Sequence, residues 1–190
     1  MPCNPVILAG GTDVATQGWG VTQQGAATIS YVAGGTQLTT STGGSTGGQL
    51  LLTLANAVQP GTAYTLQVEL TLTAVNAHNQ FDSGAAIMGS FTAPAGMTAE
   101  RGQMIYLDAN AIGWTDNSQA FAVALADGNV HTIELAVDAA GAATVKVDTV
   151  AALSRAAFTT NGTIAIGDQT NDPNVDATMV IKSVKRLCSL

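Results

Sequence analysis

The chain has 190 residues, 46% of them hydrophobic, 10% charged and 5% aromatic, and a formal net charge of −7. That length fits one domain with a full core, and the acidic balance excludes nucleic acid as a partner because the field repels a phosphate backbone. Charge well below the ~25% of an average soluble protein leaves the surface to Thr, Ser, Asn, Gln and Gly. No apolar run approaches the roughly 18 residues of a membrane span.

The opening Met1-Pro2-Cys3-Asn4-Pro5 lacks a basic region followed by an apolar stretch, so no signal peptide is visible. The expectation is synthesis in the cytoplasm and action in a virion or at an extracellular surface. Cys3 and Cys188 stand almost at opposite ends of the chain. They bridge only if their Cα atoms come within about 7 Å, as paired terminal strands allow; separate thiols in a reducing compartment are the other reading.

Strand signals begin at 28–32 and 49–54. From Tyr64 the pattern alternates cleanly, with Tyr64, Leu66, Val68, Leu70 and Leu72 on one face and Thr65, Gln67, Glu69, Thr71 and Thr73 on the other. Period 2 over ten residues is a half-buried antiparallel strand. Further strands are expected at 85–91, 103–107 and 120–125. Ile133, Leu135 and Val137 then alternate with Thr132, Glu134 and Ala136, and after the turn 138–141 Val145 and Val147 alternate with Thr144, Lys146 and Asp148. That is a hairpin, with Glu134 facing Lys146. Strands at 164–166 and 178–187 close the chain. Gly10-Gly11, Gly34-Gly35, Pro60-Gly61, Asp127-Gly128 and Asn161-Gly162 punctuate the strands, and Ser41 to Gly48 reads as a low-complexity surface loop. Short strands at this spacing predict an all-β antiparallel sandwich or barrel, expected as a two-sheet β-sandwich in a single domain over residues 1–190.

Several chemistries are poorly supported. The glutamates, Glu69, Glu100 and Glu134, are far apart, and glycoside hydrolysis needs two carboxyl groups within about 5–10 Å. Glu134 and Asp148 share a hairpin with Lys146, which reads as a solvated face. No Gly-x-Ser-x-Gly elbow or phosphate loop occurs. His131 reads as a hydrogen-bonded structural residue, and Lys182, Lys185 and Arg186 as strand-end charges. No cofactor is expected, with calcium as the one candidate: Asp168, Asp172 and Asp176, with Asn171 and Asn174, lie within nine residues and offer the oxygens calcium takes. Asx residues also fill such loops as turn formers. For a glycan, an aromatic ring with neighbouring Asp and Asn is the requirement. Trp114 with Asp116 and Asn117, the loop from His78 and Asn79 to Asp82, and Trp19 supply candidates, although buried aromatic core is the competing reading.

The run His131-Thr132-Ile133-Glu134-Leu135-Ala136-Val137-Asp138, Gly141, Val145-Lys146-Val147-Asp148, then Gly162 to Asp168 and Met179 to Val184, resembles the C-terminal half of the concanavalin A-like lectin/glucanase group, especially its laminin G-like members. Arg101 to Asp108 followed by Gly113-Trp114 resembles the preceding strands. The resemblance implies a jelly-roll sandwich with adjacent N- and C-terminal strands, in accord with a Cys3–Cys188 pairing. The chain lacks the group's Glu-x-Asp-x-Glu catalytic strand, and Lys182 stands where related hydrolases hold calcium with Asp. The expected function is therefore non-enzymatic: an accessory, oligomeric component of a virion-like assembly such as a head-decoration or tail-associated protein, in contact with neighbouring subunits. A glycan-binding module of a secreted or surface protein is the alternative, and a polysaccharide-degrading enzyme is more distant.

Overall fold

The computed structural model describes residues 6–40, 47–92 and 98–187, so Cys3, Cys188 and most of the 41–48 loop lie outside the described residues. Strand β6 (Tyr64–Val75) organises the first sheet. Its apolar alternation from Tyr64 to Leu72 is a buried alternation, each inward side chain at most 4% exposed. On one side it pairs antiparallel with β11 (His131–Val137), which continues to β12 (Ala143–Val147) and β13 (Val150–Arg155). On the other it pairs with β15 (Ala177–Leu187), followed by β4 (Gly35–Thr39) and β3 (Thr28–Val32). The first strand, β1 (Val6–Ala9), pairs with the later half of β15, placing Val6 opposite Lys185. The terminal strands are therefore adjacent.

The second sheet runs β10 (Ala120–Ala122), β9 (Ala111–Trp114), β8 (Ile105–Asp108), β7 (Ala86–Met88), β14 (Ile164–Asp168), β5 (Gly48–Leu54) and β2 (Gly20–Gly25). Both sheets are antiparallel, and among the described residues helix is confined to α1 (Thr98–Arg101) and a 3-10 turn at Ala15–Gln17. Leu8, Leu38, Leu50, Leu52, Leu66, Leu70, Leu72, Ile133 and Leu135 fill the space between the sheets. A second buried cluster of Leu51, Ala86, Met88, Phe91, Met104 and Ala165 lies on the other face of the second sheet. This explains why β14 is buried at every position and shows no alternation.

The hairpin of β11 and β12 has the expected register, Glu134 opposite Lys146 with Oε1 and Nζ 3.4 Å apart. Both groups reach solvent, so the pair contributes only a few tenths of a kcal/mol. The Thr98–Arg101 turn apart, the middle of the molecule is strand and loop. The fold is an antiparallel β-sandwich of jelly-roll type, as the resemblance implies, and not the barrel that the strand spacing equally allows.

Candidate functional site at the loop rim

The β6–β7 loop, the β8–β9 turn and the β14–β15 loop lie at one end of the second sheet, and the β6–β7 loop also reaches the β9–β10 turn at the other end of β9. They are tied by specific bonds. Phe81 N–H donates to the Thr115 carbonyl at 2.9 Å, and Asn76 N–H to the Asp176 carbonyl at 2.9 Å. Gln169 Nε2 and Thr170 Oγ1 donate to Asp82 at 2.8 and 2.9 Å. Phe81 and Asn117 hold φ values of 64° and 62°, a left-handed conformation that asparagine tolerates and a bulky aromatic does not. The bond to Thr115 keeps Phe81 there.

His78 is the centre of this rim. Its ring stacks on Tyr106 with centroids 3.5 Å apart and 11° between planes. Its Nδ1 meets Asp108 Oδ2 at 2.8 Å, its Nε2 meets Asn117 Oδ1 at 2.8 Å, and its backbone N–H donates to Asp108 Oδ1 at 2.9 Å. The imidazole is thus clamped on both edges and one face, and 17% of the side chain reaches solvent. Burial pushes the Tyr106 hydroxyl above its ordinary pKa, and Asp108 adds to the shift. Beside the clamp is a cleft of about 240 Å³ lined by Val75, Ala77, Asp108, Ala109, Asn110 and Ala111. Asn110, which lines it, is exposed, as are Asn117 at the His78 ring and Asn79 next to His78 in the chain.

The expected glycan residues therefore separate into two groups. His78, Asn79 and Asn117 come together at the rim. Trp114 does not: it is 0% exposed, with its ring in the core against Phe158 and Arg155 stacked 4.7 Å from its centroid. It has no free face for a sugar, because Ile112 and Trp114 both point inward from β9. Asp116 is engaged by Arg155 Nη2 at 2.6 Å and by the Ser118 hydroxyl. Burial alone would raise its pKa, yet the Ser118 and Arg155 bonds outweigh that and hold it below the carboxylate range. Trp19 is likewise core, its Nε1–H donating to the Ile7 carbonyl at 2.7 Å. Tyr106, Asp108 and Asn110 were not singled out from sequence; no local motif links Asp108 to a histidine thirty positions earlier.

Other expectations resolve as structure. His131 is buried between Asp148 Oδ2 at 2.7 Å and Asp127 Oδ1 at 3.0 Å. Burial pulls its pKa down, but the two carboxylates prevail and raise it. Glu134 pairs with Lys146 and Asp148 with His131, so neither is poised toward a shared substrate bond. Lys185 pairs with Glu69 at 2.7 Å, and Arg186 donates to the Ala57 carbonyl at 2.6 Å. Asn161 spends its side-chain amide on the Phe91 carbonyl and Gly162 has φ 92°, a turn before β14.

The three aspartates of the β14–β15 loop are not assembled as one ligand set. Asp172 Oδ1 accepts from the Asn174 backbone N–H and side-chain amide, an Asx turn near the surface. Asp168 and Asp176 are buried at 0% and 5% exposure. Among the described residues no three His, Cys, Asp or Glu side chains converge closely enough to hold a metal by themselves. Gly84 packs so tightly here that a Cβ would lie 2.5 Å from the Asp176 carbonyl carbon and 2.9 Å from Ala177 N. Gly84→Ala is expected to lower stability by about 1–3 kcal/mol in a urea melt; an unchanged midpoint would mean that the two loops have slack between them.

No protein-family model and no curated protein matches the chain. Solved structures do match in shape. The carbohydrate esterase vb_24B_21 of the Shiga toxin-encoding bacteriophage phi24B superposes with a TM-score of 0.57 at 15% identity, covering 90% of both chains. The exoplasmic/lumenal domain of VIP36, in a calcium- and mannose-bound form, gives 0.58 at 12% identity over 90% of this chain and 83% of that one. The carbohydrate recognition domain of Emp47p gives 0.54 at 12% identity over 90% and 89%. The chain has a lectin-like sandwich fold. At these identities the likeness concerns the lectin-like fold alone, and the rim residues stand on their own geometry.

Proposed function

We propose that this chain is a non-catalytic glycan-binding domain that serves adhesion. The observation carrying the reading is the His78–Tyr106 stack beside the 240 Å³ cleft, with Asp108, Asn110 and Asn117 around it. A partly exposed ring gives an apolar surface for one face of a sugar, while carboxylate and amide groups match its hydroxyls. The cleft is small and shallow, suited to one or two sugar units and to weak single-site affinity, which adhesion raises by presenting several copies at once. The shared fold with the Emp47p carbohydrate recognition domain and mannose-bound VIP36 supports the same reading.

A glycan array probed with the whole chain tests it. Binding is expected, with a loss of about tenfold or more, equivalent to 1.4 kcal/mol, when Asn110 and Asn117 are both changed to Ala and the melting temperature is retained. Failure to bind any glycan at millimolar concentration would sink the reading. Acetate release from acetylated glycans would replace binding by catalysis. The likeness to a bacteriophage protein over 90% of both chains favours a virion as the setting, in contact with neighbouring subunits; co-sedimentation with particles from the native source is the expected result.

A further inference from the structure

Side-chain oxygens that are buried without a protein hydrogen-bond partner are costly, and native structures rarely keep them. Three such oxygens occur within nine residues of this chain: Asp168 Oδ2, Gln169 Oε1 and Asp176 Oδ1, on side chains 0%, 2% and 5% exposed. With Asp168 and Asp176 ionised, all three are acceptors. A missing hydrogen-bond donor or a missing cation is the chemistry that answers such an excess. The surroundings are mostly acidic: Asp168 feels the charges of Asp82 and Asp176, and Asp82 and Asp176 each feel Asp172, with Arg101 offsetting this only at Asp82.

Asp168 ends β14 and Asp176 immediately precedes β15, so two rigid strands fix the pair beneath the connecting loop. Asp168 spends its other oxygen on Thr170 N–H at 3.0 Å. The Thr40 hydroxyl beside them bonds both the N–H and the carbonyl of Ala177 and also reaches the Asp168 and Asp176 carboxyls, which it favours in their ionised form. Gln169 turns its amide nitrogen to Asp82 at 2.8 Å and thereby fixes its oxygen as the free end. We propose that Asp168 and Asp176 are the anchoring carboxylates of a calcium site under the β14–β15 loop. Two carboxylates are few for a metal such as zinc, but calcium completes six to eight positions with amide, carbonyl and water oxygens. Gln169 Oε1 supplies one such amide oxygen. Asp172 lies outside the site as an Asx-turn residue. The proposal uses different residues from the glycan cleft and stands or falls separately from it.

Calcium chloride titrated into the EDTA-dialysed whole chain, followed by calorimetry and thermal melting, provides the test. One equivalent is expected to bind at or below about 1 mM, with a rise in melting temperature and release of protons to the buffer. Magnesium, which demands a near-ideal octahedron, should not reproduce the shift. Asp168→Asn and Asp176→Asn should each weaken binding about tenfold or more, while Asp172→Asn leaves it near wild type. The wild-type titration decides the matter even if a variant misfolds: absence of stoichiometric calcium at 10-fold above that range, or unaltered affinity in both buried variants, overturns the proposal.

Discussion

Trp114→Ala is expected to destabilise the fold by about 3–5 kcal/mol, the largest effect of any single side-chain truncation in the second sheet. The indole is 0% exposed, touches Phe158 at 6.0 Å between centroids, and lies beneath the Arg155 guanidinium at 4.7 Å. Removing it opens a cavity and also frees Arg155, which loses its stacking surface while still holding Asp116 at 2.6 Å. The β9–β10 turn carrying Asn117 would loosen in consequence. A urea or thermal melt measures the loss. Glycan binding by Trp114→Phe should survive if the variant folds, because the ring supports the rim from beneath and does not meet the ligand. A Trp114→Phe chain that folds normally yet fails to bind glycan would return the indole to the binding surface.

The second large effect concerns pH. Burial pushes Asp168 up to about 8, with Thr170 N–H and Thr40 pulling the other way and Asp82 and Asp176 adding to the rise. Burial also raises Asp176 and Asp82, with Asp172 adding to both shifts. In an unfolded chain these carboxyls ionise near pH 4. Between pH 4 and 8 the unfolded state therefore gives up protons that the native state keeps, and native stability declines as pH rises. His131 acts in the same sense: its flanking carboxylates raise it, so its contribution is complete below pH 6.5 and fades as pH climbs through its folded value. Glu69, Asp116 and Asp127 oppose this only in acid. All three are held low, Asp127 at about 2 by the Asn129 N–H and amide and by His131, and their contribution disappears as pH falls below about 4. Urea melts in EDTA should show maximal stability between about pH 4 and 6 and a fall toward pH 9, with Asp168 alone responsible for on the order of a few kcal/mol. Asp168→Asn should flatten the alkaline limb. Stability that climbs from pH 6 to 8.5 would refute the assignment.

Alternation made β6, β11 and β12 legible, because each buries one face against the opposite sheet and turns the other toward water. β2 was not: Gly20 to Gly25 is exposed at every position, so no apolar face marks it, and only its pairing with β5 defines it. β7 is shorter than the apolar run around it because Gly89 to Phe91 leave the ladder to cover the second face of the sheet. The rim was half legible. Exposed amides beside His78 pointed to it, but Tyr106 and Asp108 reach it through the pairing of β7 and β8, which no short spacing encodes. Trp114 misled because its polar successors suggested a surface turn, whereas the inward Ile112 two places earlier put the indole on the same buried side. Likewise, three aspartates spaced four apart gave no hint that two are buried and one caps a turn.

The direction of β15 has a consequence for presentation. It leaves the rim at Ala177 and runs to Leu187, roughly 33 Å away at strand rise, where β1 begins beside Lys185. Both outermost described strands thus enter and leave at the pole opposite the His78 cleft. A tether through either end would hold the molecule by its base and point the cleft outward, and both tethers together would leave that orientation unchanged.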